Sequence, residues 1–299
     1  MVFIKVIFGS SEDMKELPSS SVHLVITSPP YFNAPFDFPG LFNSYEEFLK
    51  MLRNVGREVF RVLQPGRYAC YVTQDVRINS KLYPIVADLI HVMVDDVGFE
   101  YQEKIIWRKP EGYIRISRRS GSLIQHPYPM YYYPDNIYEE IIIFRKPGEF
   151  DKSSVPEQTK RKSKIDISRF QAEKWYLSIW DIKNVLPSEK WSKYTAAFPE
   201  ELVERLVRLY SYWGEVILDP FLGTGTTCAV AKRLERNCIG YEIDLELMDV
   251  IKERLGVELK TLFNQDEIEF ITREDAKRLR TKLREEIEKK LKNKNKKAT

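Results

Sequence analysis

The stretch that decides the fold is Glu215-Val216-Ile217-Leu218-Asp219-Pro220-Phe221-Leu222-Gly223-Thr224-Gly225-Thr226-Thr227. It opens as an apolar run that ends in an acid, and the apolar spacing after the glycines predicts a helix from Thr227 to Leu234. A strand, a glycine turn and a helix in this order are typical of the ligand-binding edge of a parallel α/β sheet, where glycine lets the backbone approach a ligand. The sequence therefore predicts a small-molecule site at residues 219–227.

A second acid, Glu242, ends the next predicted strand, 23 residues after Asp219. An acid at that place accepts hydrogen bonds from both ribose hydroxyls of a nucleoside. The turn lacks the third glycine of a dinucleotide fingerprint and the Gly-Lys-Ser/Thr of a phosphate-binding loop. A cationic nucleoside such as S-adenosylmethionine fits better, because Asp219 can meet its ammonium group and no phosphate needs a cradle. The alternative is a purely structural strand, turn and helix.

The second motif is Thr27-Ser28-Pro29-Pro30-Tyr31, at the end of a predicted strand over residues 22–27. Consecutive prolines donate no backbone hydrogen bond and hold an extended shape, so neighbouring carbonyls are left to accept from another donor. The exocyclic amino group of a base is such a donor, and Tyr31 offers a ring for stacking. The alternative is a proline-terminated strand beside a core tyrosine.

The rest of the chain alternates between strand and helix patterns. Apolar, β-branched runs predict further strands at 1–8, 68–72, 103–107, 140–144 and 238–244. Apolar residues at helical spacing predict helices at 45–63, 82–94 and 199–212. This alternation predicts an α/β fold with a mostly parallel sheet.

Composition limits the class of protein. The chain has 299 residues, 43% hydrophobic and 30% charged, which predicts a globular protein of one large domain or two small ones. No apolar run approaches the roughly 20 residues that cross a bilayer, so we expect no membrane partner. Cys70, Cys228 and Cys238 show no C-x-x-C spacing. We therefore expect no disulfide framework, no metal site and a cytoplasmic location.

Basic and aromatic residues cluster in the segment 108–138. Its arginines can meet phosphates and its tyrosines can stack on bases. The candidate nucleic-acid contacts are Tyr113, Arg115, Arg118, Arg119 and His126. The alternative is a structured loop over the edge of the site. Residues 147–172 are predicted as a polar, basic loop, and residues 272–299 as a thin amphipathic helix with a lysine-rich end.

Together the two motifs resemble those of the amino-methyltransferases that modify cytosine N4 or adenine N6 in DNA. Ser-Pro-Pro-Tyr precedes the cofactor glycines, and this permuted order is similar to the β group of that family over residues 3–255. Two further stretches are similar, Val6-Ile7-Phe8-Gly9 and Thr195-Ala196-Ala197-Phe198-Pro199. The chain departs from the family at Ser10, where an acid commonly follows the glycine, and at Tyr194-Thr195, where His-Pro is often found.

The resemblance implies a Rossmann-like methyltransferase fold, with a mostly parallel seven-stranded sheet and helices on both faces. It implies a catalytic domain at 1–255 that carries the insertion 108–138 and a short target-recognition loop at 147–172. Residues 256–299 are predicted to form a charged helical extension. The implied cofactor is S-adenosyl-L-methionine, and the implied contacts to it come from Asp219, Phe221, Gly223, Gly225, Thr226, Glu242, Phe198 and Pro199. The implied catalytic residues are Ser28, Pro29, Pro30 and Tyr31.

The implied chemistry starts from a poor nucleophile, because the lone pair of the cytosine amino nitrogen is conjugated with the ring. Hydrogen bonds from this amino group to the Ser28 side chain and to a carbonyl of residues 28–30 would move it toward tetrahedral geometry. Tyr31 would hold the base after it is flipped from the duplex. In the family, Ser at the first motif position is the usual mark of cytosine N4 enzymes, and Asp or Asn that of adenine N6 enzymes.

The sequence thus favours N4 methylation of cytosine in DNA by a monomer or homodimer, and leaves four alternatives open. The short recognition loop suits an unpaired cytosine of a structured RNA, such as ribosomal RNA. Adenine N6 methylation of DNA is the second alternative. The third is a nucleic-acid-binding module with a degenerate methyltransferase fold. The fourth is a methyltransferase for a small molecule or a protein glutamine side chain, where Asn is the usual first residue.

Overall fold

A computed structural model describes residues 1–33, 41–78, 80–110, 121–132, 134, 136–185, 199–257 and 266–276 of the chain. The strands in these residues are β1 (Phe3–Phe8), β2 (Val22–Thr27), β3 (Leu63–Thr73), β4 (Val76–Ile78), β5 (Lys81–Tyr83), β6 (Glu100–Arg108), β7 (Tyr138–Arg145), β8 (Ile179–Asp181), β9 (Val216–Asp219), β10 (Asn237–Glu242) and β11 (Glu267–Thr272).

The α-helices in the same residues are α1 (Tyr45–Val62), α2 (Ile85–His91), α3 (Gly121–Gln125), α4 (Glu157–Lys162), α5 (Ile167–Ala172), α6 (Glu200–Tyr210), α7 (Thr226–Arg233) and α8 (Met248–Leu255). A π-helical segment, Val92–Val97, continues α2, and short 3₁₀ turns lie at Lys152–Ser154 and Leu245–Leu247.

Nine of the described strands form one sheet in the order β11-β1-β10-β9-β2-β3-β7-β6-β8. Neighbouring strands are parallel except where β7 pairs with β3 and with β6. This confirms the predicted Rossmann-like fold, with a mostly parallel sheet and a permuted order of the motifs along the chain. The expected count of seven strands is wrong, because β11 and β8 extend the sheet at its two edges. The strands β4 and β5 form a separate antiparallel pair.

The edge strand β11 lies within residues 256–299, where a charged helical extension is predicted. It pairs along the whole of β1, from Phe3 opposite Glu267 to Phe8 opposite Thr272. Its apolar side chains Ile268 and Phe270 pack against the core, which explains why this part of the segment is a strand. Residues 274–276 are helical; the rest of the predicted helix stays a prediction, since residues 277–299 lie outside the described part.

The sheet separates two hydrophobic layers. In β2, Leu24 and Ile26 face one layer and Val25 faces the other, as the period of two in a strand requires. The first layer is completed by α6, α7 and α8, through residues such as Leu202, Val230 and Ile251. The second is completed by α1 and α2, through Phe48, Leu52 and Leu89. Helices on both faces are therefore confirmed.

Two predicted elements differ from the structure at the local level. The helix expected at 82–94 begins only at Ile85, because Pro84 occupies its N-cap and Leu82 belongs to β5. A proline favours an extended residue before it, which fits a strand ending at Tyr83. The segment 147–172, expected as a loop, contains α4 and α5, and the Asp166 side chain caps α5.

The cysteines also depart from expectation. Cys228 in α7 and Cys238 in β10 form a single disulfide, with their Cα atoms 5.3 Å apart, where the spacing of the cysteines predicts no disulfide framework. Neither cysteine is in a C-x-x-C motif; the packing of α7 against β10 brings them together. Cys70 is free and buried. Among the described residues, no helix has both the length and the apolar character to cross a membrane.

Candidate active site

The two sequence motifs meet at the carboxyl edge of the sheet. Strands β2 and β9 are neighbours, with Val25 opposite Leu218, so their last residues end side by side. The Thr27 hydroxyl donates a 2.7 Å hydrogen bond to Oδ1 of Asp219, across 192 positions of sequence. Ligands of open α/β sheets bind outside this edge. The Ser-Pro-Pro-Tyr motif therefore begins one residue from a direct contact with the glycine turn.

Asp219 serves this junction from a buried position, with only 1% of its surface exposed. Its Oδ1 also accepts from the Phe221 backbone at 3.1 Å, and its Oδ2 accepts from the Thr227 hydroxyl at 2.6 Å. Burial raises the pKa of this carboxyl to about 6, against the lowering effect of these hydrogen bonds. Asp219 thus stabilises the turn by accepting hydrogen bonds from residues on both sides of the glycines. Its contact with a cofactor ammonium group stays a prediction.

The turn between β9 and α7 depends on left-handed glycines. Gly223 has a φ of 55° and Gly225, at the N-cap of α7, a φ of 85°. A Cβ added to Gly225 would meet the Ile251 side chain at 3.6 Å, which is ordinary contact. The backbone conformation at 225 therefore favours glycine, and the contact of Gly225 with a cofactor stays a prediction.

Beside the turn, Glu242 ends β10 with 8% of its surface exposed. Its two carboxylate oxygens accept from backbone N–H groups at 2.8 Å, one from Gly223 and one from Asp244. Burial raises the pKa of Glu242 to about 8 in spite of these bonds. The predicted ribose-binding acid therefore lies next to the glycine turn.

Of the remaining predicted cofactor contacts, three are described. Phe221 is half-buried and Thr226, the first residue of α7, is buried. Pro199 is buried at the N-cap of α6. Phe198 lies outside the described residues, with residues 186–198 in general. The contacts of these residues to a cofactor stay predictions.

The edge of the sheet beyond β10 carries an acid that the sequence analysis missed. Ser10 follows β1 where the resembling family commonly has an acid, and its backbone N–H donates to Oδ2 of Asp275 at 3.3 Å. Asp275 lies three residues after the end of β11, in a helical stretch that begins at Glu274, and its Oδ1 would lie 3.2 Å from a Cβ on Gly9. Only the pairing of β11 with β1 places a carboxylate there, so no local signal pointed to it.

The Ser-Pro-Pro-Tyr motif lies on the other side of Asp219. Ser28 and Pro30 are half-buried and Pro29 is buried. Tyr31 is 5% exposed, and its hydroxyl donates a 2.7 Å hydrogen bond to Oε2 of Glu139, which lies near the start of β7. The ammonium group of Lys109 in turn pairs with Oε1 of Glu139. Sequence reasoning found Tyr31 and missed both of these partners, because they lie at the two ends of an insertion whose path it did not predict.

Of the predicted nucleic-acid contacts, the structure describes His126. It is exposed, and its ring centroid lies 5.1 Å from that of Tyr131. Tyr128, Met130 and Tyr132 nearby are also exposed. Tyr113, Arg115, Arg118 and Arg119 lie outside the described residues. Binding of nucleic acid by this segment stays a prediction.

Comparison with known proteins agrees with this geometry. The family model described as DNA methylase, named for N6 and N4 methyltransferases, matches residues 22–253. The chain is similar to the type II methyltransferase M.MjaI of Methanocaldococcus jannaschii, at 33% identity over 90% of this chain and 96% of that protein.

Two solved structures are also similar. TTHA0409 of Thermus thermophilus, in complex with S-adenosyl-L-methionine, has a TM-score of 0.68 and 32% identity over 88% of this chain and 98% of that one. The cytosine-N4-specific PvuII DNA methyltransferase, at 17% identity, shares the fold with a TM-score of 0.57 over 89% of this chain and 96% of that one. By its motifs, its sheet order and these similarities, the chain belongs to the N6/N4 family of DNA methylases.

Proposed function

We propose that this protein methylates the exocyclic N4 amino group of cytosine in DNA. One observation supports the proposal most: the hydrogen bond from Thr27 to Asp219 joins the residue before Ser28, the first residue of Ser-Pro-Pro-Tyr, to the residue that precedes the glycine turn. In the resembling family, Ser at this position is the usual mark of cytosine N4 enzymes. S-adenosyl-L-methionine is the cofactor, and when bound it supplies an electrophilic methyl group on a sulfonium.

The described residues fit such a cofactor. The left-handed glycines 223 and 225 give the turn between β9 and α7 its backbone shape, and Glu242 offers a carboxyl group to ribose hydroxyls. Neither the turn nor its sequence provides a phosphate-binding loop, which favours a nucleoside without phosphates. Asp219 adds negative charge near the turn, which suits a cationic ligand.

Transfer requires the chain to prepare the amino group of the base. Pro29 and Pro30 have no N–H, so the carbonyls of residues 28–30 are available as acceptors. The Ser28 hydroxyl and one of these carbonyls would accept from the two N–H groups, which turns the nitrogen lone pair toward the methyl group. The ring of Tyr31 would hold the base in this orientation by stacking.

Two finer alternatives remain in the same chemical class. An adenine N6 amino group can donate to the same acceptors, and the family contains enzymes for both positions, as its name states. An unpaired cytosine of structured RNA would also reach the site without flipping. Ser28 favours cytosine over adenine, and membership of a DNA methylase family favours DNA over RNA.

The test is to incubate the protein and S-adenosyl-L-methionine with unmethylated DNA, and separately with ribosomal RNA, and to digest each to nucleosides for mass analysis. We expect N4-methylcytosine from DNA. N6-methyladenine from DNA, or methylated cytidine from RNA alone, would overturn the proposal and identify the alternative.

A pair of variants tests the role of Ser28. Ser28→Ala should lower the single-turnover rate about a hundredfold or more while DNA and cofactor affinities change little, because the lost acceptor acts mainly when the nitrogen changes geometry. Ser19→Ala, in an exposed loop, is the matched control and should behave as wild type. A Ser28→Ala protein that transfers methyl at the wild-type rate would remove Ser28 from the reaction.

A further inference from the structure

A buried ion pair, Lys109 with Glu139, contacts the tyrosine of the Ser-Pro-Pro-Tyr motif. Glu139 is 7% exposed, and its two carboxylate oxygens are divided between two partners. Oε2 accepts from the Tyr31 hydroxyl at 2.7 Å, and Oε1 pairs with the Lys109 ammonium group. A hydrogen bond between a hydroxyl and a buried carboxylate is strong and directional. It fixes one end of the Tyr31 side chain to β7.

Lys109 contacts the sheet as well as Glu139. Its side chain is mostly buried, and its ammonium group lies 4.8 Å from the ring centroid of Trp107. Trp107 is itself buried and donates from its indole N–H to the Ile182 carbonyl at 2.8 Å. The charges of Lys109 and Glu139 compensate each other. Removal of either side chain alone would leave the other as an uncompensated buried charge. Tyr31 is therefore attached to a rigid support that belongs to the sheet.

The same pair closes the base of the insertion that contains the arginines and tyrosines. Lys109 lies at the start of this segment and Glu139 directly follows its end. The Lys109 backbone N–H also donates to the Ile137 carbonyl at 2.8 Å, so the two ends of the insertion are joined at this point. One pair of residues therefore contacts both the motif tyrosine and the ends of the segment predicted to bind nucleic acid.

We propose that Glu139, whose buried charge is compensated by Lys109, is a positioning residue that sets the ring of Tyr31 for capture of the target base. The inference rests on the proposed function, in which Tyr31 stacks on that base. A tyrosine ring free to rotate about its side-chain torsions would sample many orientations. The tether through its hydroxyl, together with the packing of the ring in the second hydrophobic layer, holds it in one orientation, so less order has to be created when the base arrives.

This assignment explains why the motif tyrosine carries a hydroxyl. A ring face alone would be supplied equally well by phenylalanine. Removing the hydroxyl by Tyr31→Phe should keep the stacking face and lose the tether, so base capture should fall although the ring remains. Removing the acceptor by Glu139→Leu should have the same consequence through the same contact.

The experiment is a double-mutant cycle on Tyr31→Phe and Glu139→Leu. Base capture is measured by the fluorescence of 2-aminopurine placed at the methylated position of a duplex, and transfer by the single-turnover rate over a range of DNA concentrations. Loss of a charge-assisted hydrogen bond should weaken capture about tenfold to hundredfold in each single variant. The double variant should be no more than about threefold worse than either single, because both remove one interaction.

Three further variants separate positioning from folding. Glu139→Gln keeps an acceptor for Tyr31 and should recover most of the capture that Glu139→Leu abolishes. Lys109→Met combined with Glu139→Gln leaves no uncompensated buried charge and should also keep capture, if the Glu139→Leu effect runs through Tyr31. Glu140→Leu is the matched control, since Glu140 is the next residue of β7 and pairs with Lys104 at 3.1 Å instead. It should leave capture unchanged.

The inference is overturned if folded Glu139→Leu protein captures the base as wild type does. It is also overturned if Glu139→Leu has its full effect in the Tyr31→Phe background, because Glu139 would then act on something other than the hydroxyl. S-adenosyl-L-methionine affinity should stay within about twofold throughout; a large loss would indicate a general structural role. If wild type methylates adenine instead of cytosine, the same cycle is run at that adenine, so failure of the proposed base leaves this test intact.

Discussion

At the residue scale, Glu242 connects burial with ligand binding. A carboxyl that already accepts two backbone hydrogen bonds in a buried position has a pKa raised to about 8. Only the ionised form can accept from both ribose hydroxyls. We therefore expect S-adenosyl-L-methionine affinity to rise about tenfold to hundredfold between pH 6 and 9, and to level off above the pKa. Calorimetric titration measures this, and Glu242→Gln should bind more weakly with a flat profile. A wild-type affinity independent of pH would contradict the assignment.

The same group predicts the opposite slope for the stability of the unliganded protein. Its pKa is near 4.5 when exposed in the unfolded chain and about 8 when folded. Between these values the unfolded state loses its proton first, so the free energy of unfolding should fall as pH rises from 4.5 to 8 and stay flat outside that window. In denaturant unfolding, Glu242→Gln should lose less stability than wild type over this range. An identical decline in both proteins would show that other groups dominate.

At the scale of elements, the turn between β9 and α7 is limited by its backbone. Because Gly225 is left-handed and its missing Cβ faces Ile251 at an ordinary distance, Gly225→Ala should cost about 1–2 kcal/mol of stability through strain. It should also weaken cofactor binding, since a shift of the turn moves the Gly223 N–H that contacts Glu242. Gly214→Ala is the control, because Gly214 has a φ of 78° and a Cβ there would meet nothing within 4 Å. It should lose similar stability and bind cofactor normally in calorimetry. Equal cofactor binding by both variants would remove the turn from the site.

A second element, the insertion between β6 and β7, should bind the DNA substrate. Replacing Arg115, Arg118 and Arg119 by alanine should weaken DNA binding and flatten its dependence on salt, by roughly 0.9 in the log–log slope for each phosphate that is no longer neutralised. Fluorescence anisotropy with labelled duplex at several salt concentrations measures both quantities. Cofactor affinity should not change. A salt slope equal to that of wild type would show that these arginines do not neutralise phosphates.

At the scale of the whole molecule, the Cys228–Cys238 disulfide joins α7, which carries the cofactor turn, to β10, which carries Glu242. Closing a ten-residue loop in the unfolded chain should stabilise the protein by about 2–3 kcal/mol. Urea unfolding should therefore shift to lower urea when dithiothreitol is present. The double variant Cys228→Ala, Cys238→Ala should not respond to the reductant. A wild-type midpoint that is the same with and without dithiothreitol, with three titratable thiols, would show that the bond does not form in solution.

The features that could be predicted are those encoded over short distances along the chain. Apolar periodicity, glycine positions and the residues at strand ends are local properties of the sequence. They predicted the strand, glycine turn and helix at 216–233, the strand before Ser28 and the acid at Glu242. The two motifs also identified the family before the sheet order was known. The expected seven strands are those of the family's fold, and β8 and β11 are additions to it at the two edges of the sheet.

Only the tertiary structure decided how these pieces meet, because strand order brings together residues that are far apart in sequence. Thr27 bonds Asp219 since β2 lies beside β9, and Asp275 reaches Ser10 since β11 pairs with β1. Glu139 holds Tyr31 because β7 runs antiparallel to β3, which puts the start of β7 at the carboxyl edge of the sheet. No local pattern encodes such a pairing, so the sequence by itself determined the chemistry of the motifs, and the packing of the sheet decided which side chains support them.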